Sequence, residues 1–488
     1  MRAGPLERQT MIRSALTADE APKTEAAQPA PHLWAGLASL CLAMLMPSLD
    51  TSIANAGLPV LARAFGASFQ ATQWIVLTYL LAITSLTVGA GRLADLFGRR
   101  RVLLLGIGVF TAASFLCGIA PTLWVLLVAR ALQGLGAAMM LALAVALVHE
   151  TVPKNRTGTA MGWLGSVSAV GTTLGPSLGG ALIAAAGWRA IFWVNLPLGL
   201  LTLHLAHRHL PADRAAPAAD RADFDWAGAL LLMATLLAFG IATTAGSGFG
   251  AMNVALLLAS ALGGALFARV EAKAPAPLVR LTMFRNAVLR WGLAASVLVS
   301  AVMMTTLVVG PFYLSYALRL DAAAVGLALS LGPLLAALAG VPAGRLVDRL
   351  GAPRMVAAGL GGIALGCLAL ASIPLSAGLP GYLAPIALVT PSYALFQAAN
   401  NSALMAWAGA ERRGLVSGLL GLSRYLGLIV GASAMGAVFA FAAGAADLST
   451  APAAAIARGL RVSFALAAGL LLIAGLARVD GRRRCRIH

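Results

Sequence analysis

A run of about 20 apolar residues, coiled as a helix, covers the ~30 Å hydrocarbon thickness of a bilayer. This chain carries fourteen such candidate spans, near 33–57, 71–91, 102–120, 122–149, 158–186, 189–206, 226–246, 251–268, 287–317, 322–342, 355–373, 380–408, 414–443 and 459–477. Several are longer than about 25 residues and should tilt or kink rather than cross straight. Composition agrees: of 488 residues 60% are hydrophobic, against only 17 acidic and 35 basic ones. A soluble core needs a charged shell, which so few charges cannot supply. The sequence therefore predicts an all-α integral membrane protein.

The formal charge of +18 raises the question of nucleic acid, but the basic residues form no single stripe or patch. They recur in short clusters between apolar segments. With the N-terminus placed in the cytoplasm, 28 of the 35 Lys and Arg residues fall on the cytoplasmic side. Five (Arg63, Arg189, Arg319, Arg458, Arg461) fall in outer loops, and Arg130 and Arg424 fall inside spans. By the positive-inside rule both termini are expected in the cytoplasm. Residues 1–32 read as a polar, disordered tail and 478–488 as a basic one. Cys41, Cys117 and Cys367 sit in separate spans and Cys485 in the tail, which reads as apolar packing rather than a disulfide framework.

The chain also repeats itself. Gly91-Arg-Leu-Ala-Asp-Leu-Phe-Gly-Arg-Arg-Arg101 matches Gly344-Arg-Leu-Val-Asp-Arg-Leu-Gly-Ala-Pro-Arg354 at six of eleven positions, offset by 253. Arg156–Gly180 matches Arg412–Gly436 at an offset of 256. Two matches at nearly one offset indicate duplication. Between the copies lies 210–285, flanked by proline-rich stretches and holding two spans. The expected organisation is six spans over 33–209, two inserted spans over 210–285 and six spans over 286–477. Internal repeats with a site between halves mark alternating-access transporters.

Asp50 is the one carboxylate deep inside a span. A charge near the centre of a membrane helix costs ~2.5–3.5 kcal/mol on insertion scales, so an intramembrane acid is a functional candidate by default. Arg130 is its natural partner, because both lie ~12–13 Å below the outer ends of their spans at 1.5 Å per residue. Burial favours a neutral carboxyl and a guanidinium favours an ionised one, so joining and parting the two would make a proton switch. A structural ion pair is the alternative reading. No lysine follows a glycine, so no Walker A loop is present, and uphill transport by this chain would need an ion gradient. No cofactor is expected.

Several segments carry a family resemblance. The 91–101 loop resembles that of the major facilitator superfamily, and Leu126-Leu-Val-Ala-Arg-Ala-Leu-Gln-Gly-Leu-Gly-Ala-Ala138 resembles its fourth-helix motif. Gly171-Thr-Thr-Leu-Gly-Pro-Ser-Leu-Gly-Gly180 resembles the fifth-helix motif associated with antiporters. Leu49–Pro59, Thr72-Gln-Trp74 with Tyr79, and Trp188–Gly199 are similar to fourteen-span drug/proton antiporters of the EmrB/QacA type. The resemblance implies two six-helix bundles plus two inserted helices, and a coupling role for Asp50 and Arg130. It implies that Gly91, Asp95, Gly98, Arg99 and Arg101 form a gating latch, with Asp95 facing the turn near Gly414–Gly418. Asp348 belongs to a second copy weakened by Ala352-Pro353. On spacing alone Gly171, Gly175 and Gly179 serve helix packing as readily as a functional seal. The resemblance favours a seal that limits leak, with Pro176 and Gly180. Gly175–Gly179 also fits the G-x-S-x-G hydrolase pattern, but without strand–turn–helix context or an acid–histidine pair, so no enzyme is expected.

Substrate contacts are sought among Gln73, Tyr79, Tyr313, Tyr316, Gln397, Asn400, Asn401 and Arg424, polar or aromatic groups on spans expected to face the cavity. Interhelical hydrogen bonding is an equal alternative for the amides. With one buried acid that also serves protons, neutral, weakly acidic or monovalent cationic amphiphiles are expected over dications. The leading function is proton-driven export of hydrophobic drugs through a bacterial-type inner membrane. Export of one metabolite, antibiotic or siderophore is the second, and a channel or membrane enzyme is weaker. Expected partners are the lipid bilayer, small hydrophobic substrates and protons, with no nucleic acid. The motifs leave open a periplasmic adaptor and outer-membrane channel.

Overall fold

The apolar runs fold as helices whose ends are set by short polar or glycine punctuation. The computed structural model describes residues 31–153, 156–213, 226–244, 250–273, 283–284, 286–444, 448 and 450–485. No strand occurs among the described residues. The first half comprises α1 (Pro31–Phe65), α2 (Phe69–Phe97), α3 (Arg99–Ile119), α4 (Leu123–Thr151), α5 (Thr157–Ala186), the short α6 (Ala190–Trp193) and α7 (Asn195–His209). Two further helices, α8 (Trp226–Thr244) and α9 (Ala251–Lys273), pack on each other. The second half comprises α10 (Ala287–Phe312) with a π-helical turn Tyr313–Ala317, then α11 (Ala322–Leu350), α12 (Ala352–Ser372) and α13 (Gly378–Val430). A second π-helical turn, Gly431–Met435, leads to α14 (Gly436–Ala443), and α15 (Ala453–Cys485) ends the chain.

Among the described residues, thirteen helical segments are long and apolar enough to cross a membrane. The span expected near 226–246 is represented by α8, whose apolar described part, Leu230–Thr244, is shorter. α13 holds two of the thirteen, Leu375–Ala408 continuing from the preceding turn and Gly418–Ala443 continuing into α14. A straight helix would separate Tyr393 from Arg424 by about 46 Å. Both line the same cavity, so the chain reverses between them.

The duplication is visible in three dimensions. Ser68 caps α2 by accepting from the Ala71 N–H, and Asp321, 253 residues on, caps α11 by accepting from the Ala324 N–H. Such side chains satisfy amides that a helix start leaves unpaired. Gly98 (φ +95°) and Gly351 (φ +83°), again 253 apart, end α2 and α11 in the left-handed region where a side chain would be strained. At the offset of 256, Gly171 and Gly175 bring α5 onto Leu45 and Ser52 of α1, while Gly427 and Gly431 bring α13 and its π-turn onto the Val297 and Ala301 carbonyls of α10. Small residues let membrane helices approach this closely.

The halves meet at one end. Gly326 of α11 lies so near α5 that a Cβ there would sit 2.2 Å from the Pro176 carbonyl oxygen, and one at Gly180 would sit 2.4 Å from the Ala322 oxygen. Ser177 and Ser330 join their hydroxyls across the same contact. On the other side of the interface Gln73 donates to the Ala432 carbonyl (2.6 Å), and Phe69 packs between Phe312 (4.7 Å) and Phe439 (5.1 Å). The Tyr316 hydroxyl donates to the Pro59 carbonyl at 3.0 Å, and Arg63 donates to the Ser315 hydroxyl at 3.3 Å. Toward the far ends of the same two helices, a Cβ at Gly162, Gly165, Gly340 or Gly344 would meet nothing within 4 Å. The molecule is thus sealed at the end of residues 59–73, and the α5–α11 contact is not continued to the basic end.

Candidate functional site

Asp50 sits midway along α1, where Pro47 interrupts the helix ladder. Its carboxylate is 1% exposed and takes three donors. Arg130 of α4 donates to Oδ2 at 2.5 Å, while Gln133 and Asn195 each donate to Oδ1 at 2.8 Å. Arg130 also donates to the Gln133 amide oxygen (2.6 Å) and, through Nε, to the Ile75 carbonyl (3.1 Å). Gln133 reaches the Ser114 hydroxyl of α3 at 2.8 Å. Finally, the guanidinium lies 4.3 Å over the ring of Tyr79.

Local structure explains the convergence. Arg130 and Gln133 are three apart on α4 and so share one face. Asn195 opens α7 directly after the break at Val194, which frees its side chain to turn inward. Glycines bring the supporting helices together: a Cβ at Gly134 would lie 2.5 Å from the Tyr79 carbonyl, and one at Gly136 would lie 2.6 Å from the Phe110 amide. Both charges of the pair are buried and hydrogen-bonded, the condition under which an intramembrane ion pair persists. Gln133, Asn195 and Ser114 were not singled out from sequence. The signal for Gln133 was its i+3 spacing from Arg130, and for Asn195 its place in the Trp188–Gly199 stretch. Nothing in the sequence marks Ser114.

Beside this network, and between the halves, lies a cavity of about 360 Å³. It is lined by α1, α2, α4 and α5 on one side and by α10, α11 and α13 on the other. Its wall is mainly apolar, with the aromatic rings of Tyr79, Tyr382, Tyr393 and Tyr425 and the hydroxyls of Ser48, Thr51, Ser52, Ser168 and Thr172. A largely apolar concavity with a few fixed polar groups is the usual form of a small-molecule site.

Of the eight residues expected to line a cavity, Tyr79 and Arg424 do so. The others are placed elsewhere. Gln73 and Tyr316 make the sealing hydrogen bonds. Tyr313 is buried with its ring 5.8 Å from that of Tyr382. Asn400 donates to the Gly292 carbonyl within the second half, Gln397 donates to the Tyr393 hydroxyl behind the wall, and Asn401 is exposed away from it. Helix periodicity identified shared faces but not which face the neighbouring helices cover. The fifth-helix glycines also divide: Gly171, Gly175 and Gly179 pack on α1 within one half, whereas Gly180 and the Pro176 carbonyl meet α11 across the halves.

In the basic loop, Arg99 pairs with Glu150 at 2.5 Å, and the amides of Arg100 and Arg101 donate to the Asp213 carboxylate at 2.8 and 3.2 Å. Asp213 thereby caps α3, with Gly98 providing the room: a Cβ there would lie 2.4 Å from the carboxyl carbon. Asp348 is exposed. The side chain of Asp95, the surroundings of Gly91 and most of the Gly414–Gly418 turn lie outside the described residues.

Comparison with known proteins gives the same architecture. The family model described as Major Facilitator Superfamily matches residues 40–432, with a second match over 292–483. "Uncharacterized transporter YebQ" of Escherichia coli is 32% identical over 84% of this chain and 90% of its own length. "Multidrug resistance protein Stp" of Mycobacterium tuberculosis is 34% identical over 82% of this chain and 74% of its own. Among solved structures, a bacterial homolog of the human lysosomal transporter Spinster, in an inward-facing and unoccupied conformation, superposes with a TM-score of 0.68 at 17% identity. The superposition covers 92% of this chain and 96% of that one.

Proposed function

Because the chain belongs to the Major Facilitator Superfamily, we propose that it is a proton-coupled antiporter of the fourteen-span drug/proton type, exporting hydrophobic or amphiphilic small molecules by alternating access. The observation that carries this reading is the buried Asp50–Arg130 pair set beside an interhalf cavity that is sealed at one end. Parting Asp50 from its donors would make its carboxylate easier to protonate. Arg130 and Gln133 ride on α4 and Asn195 on α7, so small helix shifts within the first half are enough to alter that coordination. Proton uptake removes the negative charge and weakens the hold of Arg130, whose guanidinium remains against Tyr79 in the cavity wall. Occupancy of the cavity and protonation of Asp50 thereby communicate through adjoining side chains.

Under this reading the protein lies in a bacterial-type inner membrane with both termini in the cytoplasm, as the distribution of basic residues supports. The sealed end is then the outer one, and the cavity loads from the cytoplasmic side. The "multidrug resistance" name of a relative supports a role in efflux. The decisive measurement is pH-gradient-driven uptake into inverted membrane vesicles. Asp50→Asn, still inserted and folded, is expected to abolish it; full uptake by that variant would remove the proposed role. Profiling in an efflux-deficient host separates broad export from export of a single compound.

A further inference from the structure

Among the described side chains that line the cavity, Arg424 alone carries a formal charge. The remaining polar groups are hydroxyls, phenols and one amide. Asp50 is absent from the wall: its carboxylate is closed off by three donors, with Tyr79 between the ion pair and the cavity. No carboxylate among the described residues forms an ion pair with Arg424. Its near neighbours include the phenol side chains of Tyr393 and Tyr425. The arginine side chain is exposed to the cavity although helices of both halves surround it. Guanidinium remains protonated and matches a carboxylate or phenolate through paired N–H donors.

A second observation points the same way. Asn55 lines the same cavity and is 2% exposed, yet neither its amide nitrogen nor its amide oxygen has a hydrogen-bond partner. Buried amides in native proteins are almost always paired, and an orphan calls for an explanation. A carbonyl or hydroxyl on a bound molecule supplies one.

We infer that the cavity takes an aromatic organic acid, its carboxylate or phenolate paired with Arg424 and a neutral carbonyl or hydroxyl facing Asn55. The four tyrosines offer flat apolar faces to the ring system. A cation of any valence is the wrong guest, because the charge that the described wall presents is positive. This revises the expectation from sequence, which counted Asp50 as a charge available to the cavity and so admitted monovalent cations. The assignment of such an acid as cargo rests on the export reading above; its binding does not. Export of an anion also runs with an inside-negative membrane potential, whereas export of a cation runs against it.

The test is equilibrium binding to the purified full-length protein in nanodiscs, without any pH gradient. Three probes share one ring system: anthracene-9-carboxylate, anthracene-9-carboxamide and 9-(aminomethyl)anthracene, read by probe fluorescence. The carboxylate is expected to bind at least tenfold more tightly than the amine, with the amide between them. Arg424→Gln should bring the carboxylate down to the amide's affinity, and Arg424→Lys should restore part of the preference, which a merely structural arginine would not do. Tightest binding of the amine, no binding of any probe, or an equal loss for all three in Arg424→Gln would each overturn the inference. Transport through Asp50 is measured separately, so coupling survives if the binding preference fails, and the reverse also holds.

Discussion

The guanidinium of Arg130 lies 4.3 Å over the ring of Tyr79, and that ring is also part of the cavity wall. One side chain therefore touches both the charge that pairs with Asp50 and the space a substrate would fill. A cation–π contact of this kind is worth about 0.5–2 kcal/mol, more when desolvated.

Replacing Tyr79 by Leu keeps an apolar wall but removes the quadrupole that holds the guanidinium. Substrate binding is expected to change by no more than a few fold, while the number of protons exchanged per substrate falls. Simultaneous measurement of pH and substrate flux in proteoliposomes checks this. An unchanged ratio would mean that the ring is only filling space.

Gln133 and Asn195 donate to the same oxygen of Asp50, each at 2.8 Å. Hydrogen bonds to a charged group contribute about 1.5–3 kcal/mol, and groups sharing a partner are not additive. Gln133→Ala and Asn195→Ala should each lower the thermal stability of the detergent-solubilised protein. The double variant should depart from the sum of the single losses, because both amides donate to one carboxylate oxygen. Additive losses would place the two amides in separate roles.

Gly326 permits the seal. With 2.2 Å between a Cβ and the Pro176 oxygen, Gly326→Val forces α5 and α11 apart at that end. Spin labels flanking the sealed ends of these helices should report longer distances and a larger population open on that side. Gly162→Ala is the control, since a Cβ there meets nothing within 4 Å.

Asp213 accepts from the first amides of α3, the position where a side-chain cap contributes about 0.5–2 kcal/mol. Asp213→Ala should speed hydrogen exchange at Arg100 and Arg101 without altering exchange in the membrane core. It is expected to leave transport by the folded protein nearly unchanged, which growth protection would report.

The chain itself determined the membrane class, thirteen of the expected spans and the repeated segments, because each is written in local or periodic terms: apolar length, charge between spans, and glycines recurring at offsets of 253 and 256. It also made Asp50 and Arg130 conspicuous, since charges are costly wherever a span places them. The remainder depended on which helix face meets which neighbour. Tyr313 and Asn400 share the character expected of cavity residues, yet helices cover them. Asn55 and Tyr393, unremarkable in the sequence, line the cavity. Asp50 proved closed to the cavity and Arg424 open to it, so the charge presented to a guest is opposite to the one a count of buried acids implied. Helical period assigns residues to a common face, but the rotation of each helix is set by packing: by Gly134 and Gly136 within the first half, and by Gly180 and Gly326 between the halves. Those contacts join residues tens to hundreds of positions apart, and only the tertiary structure fixes them.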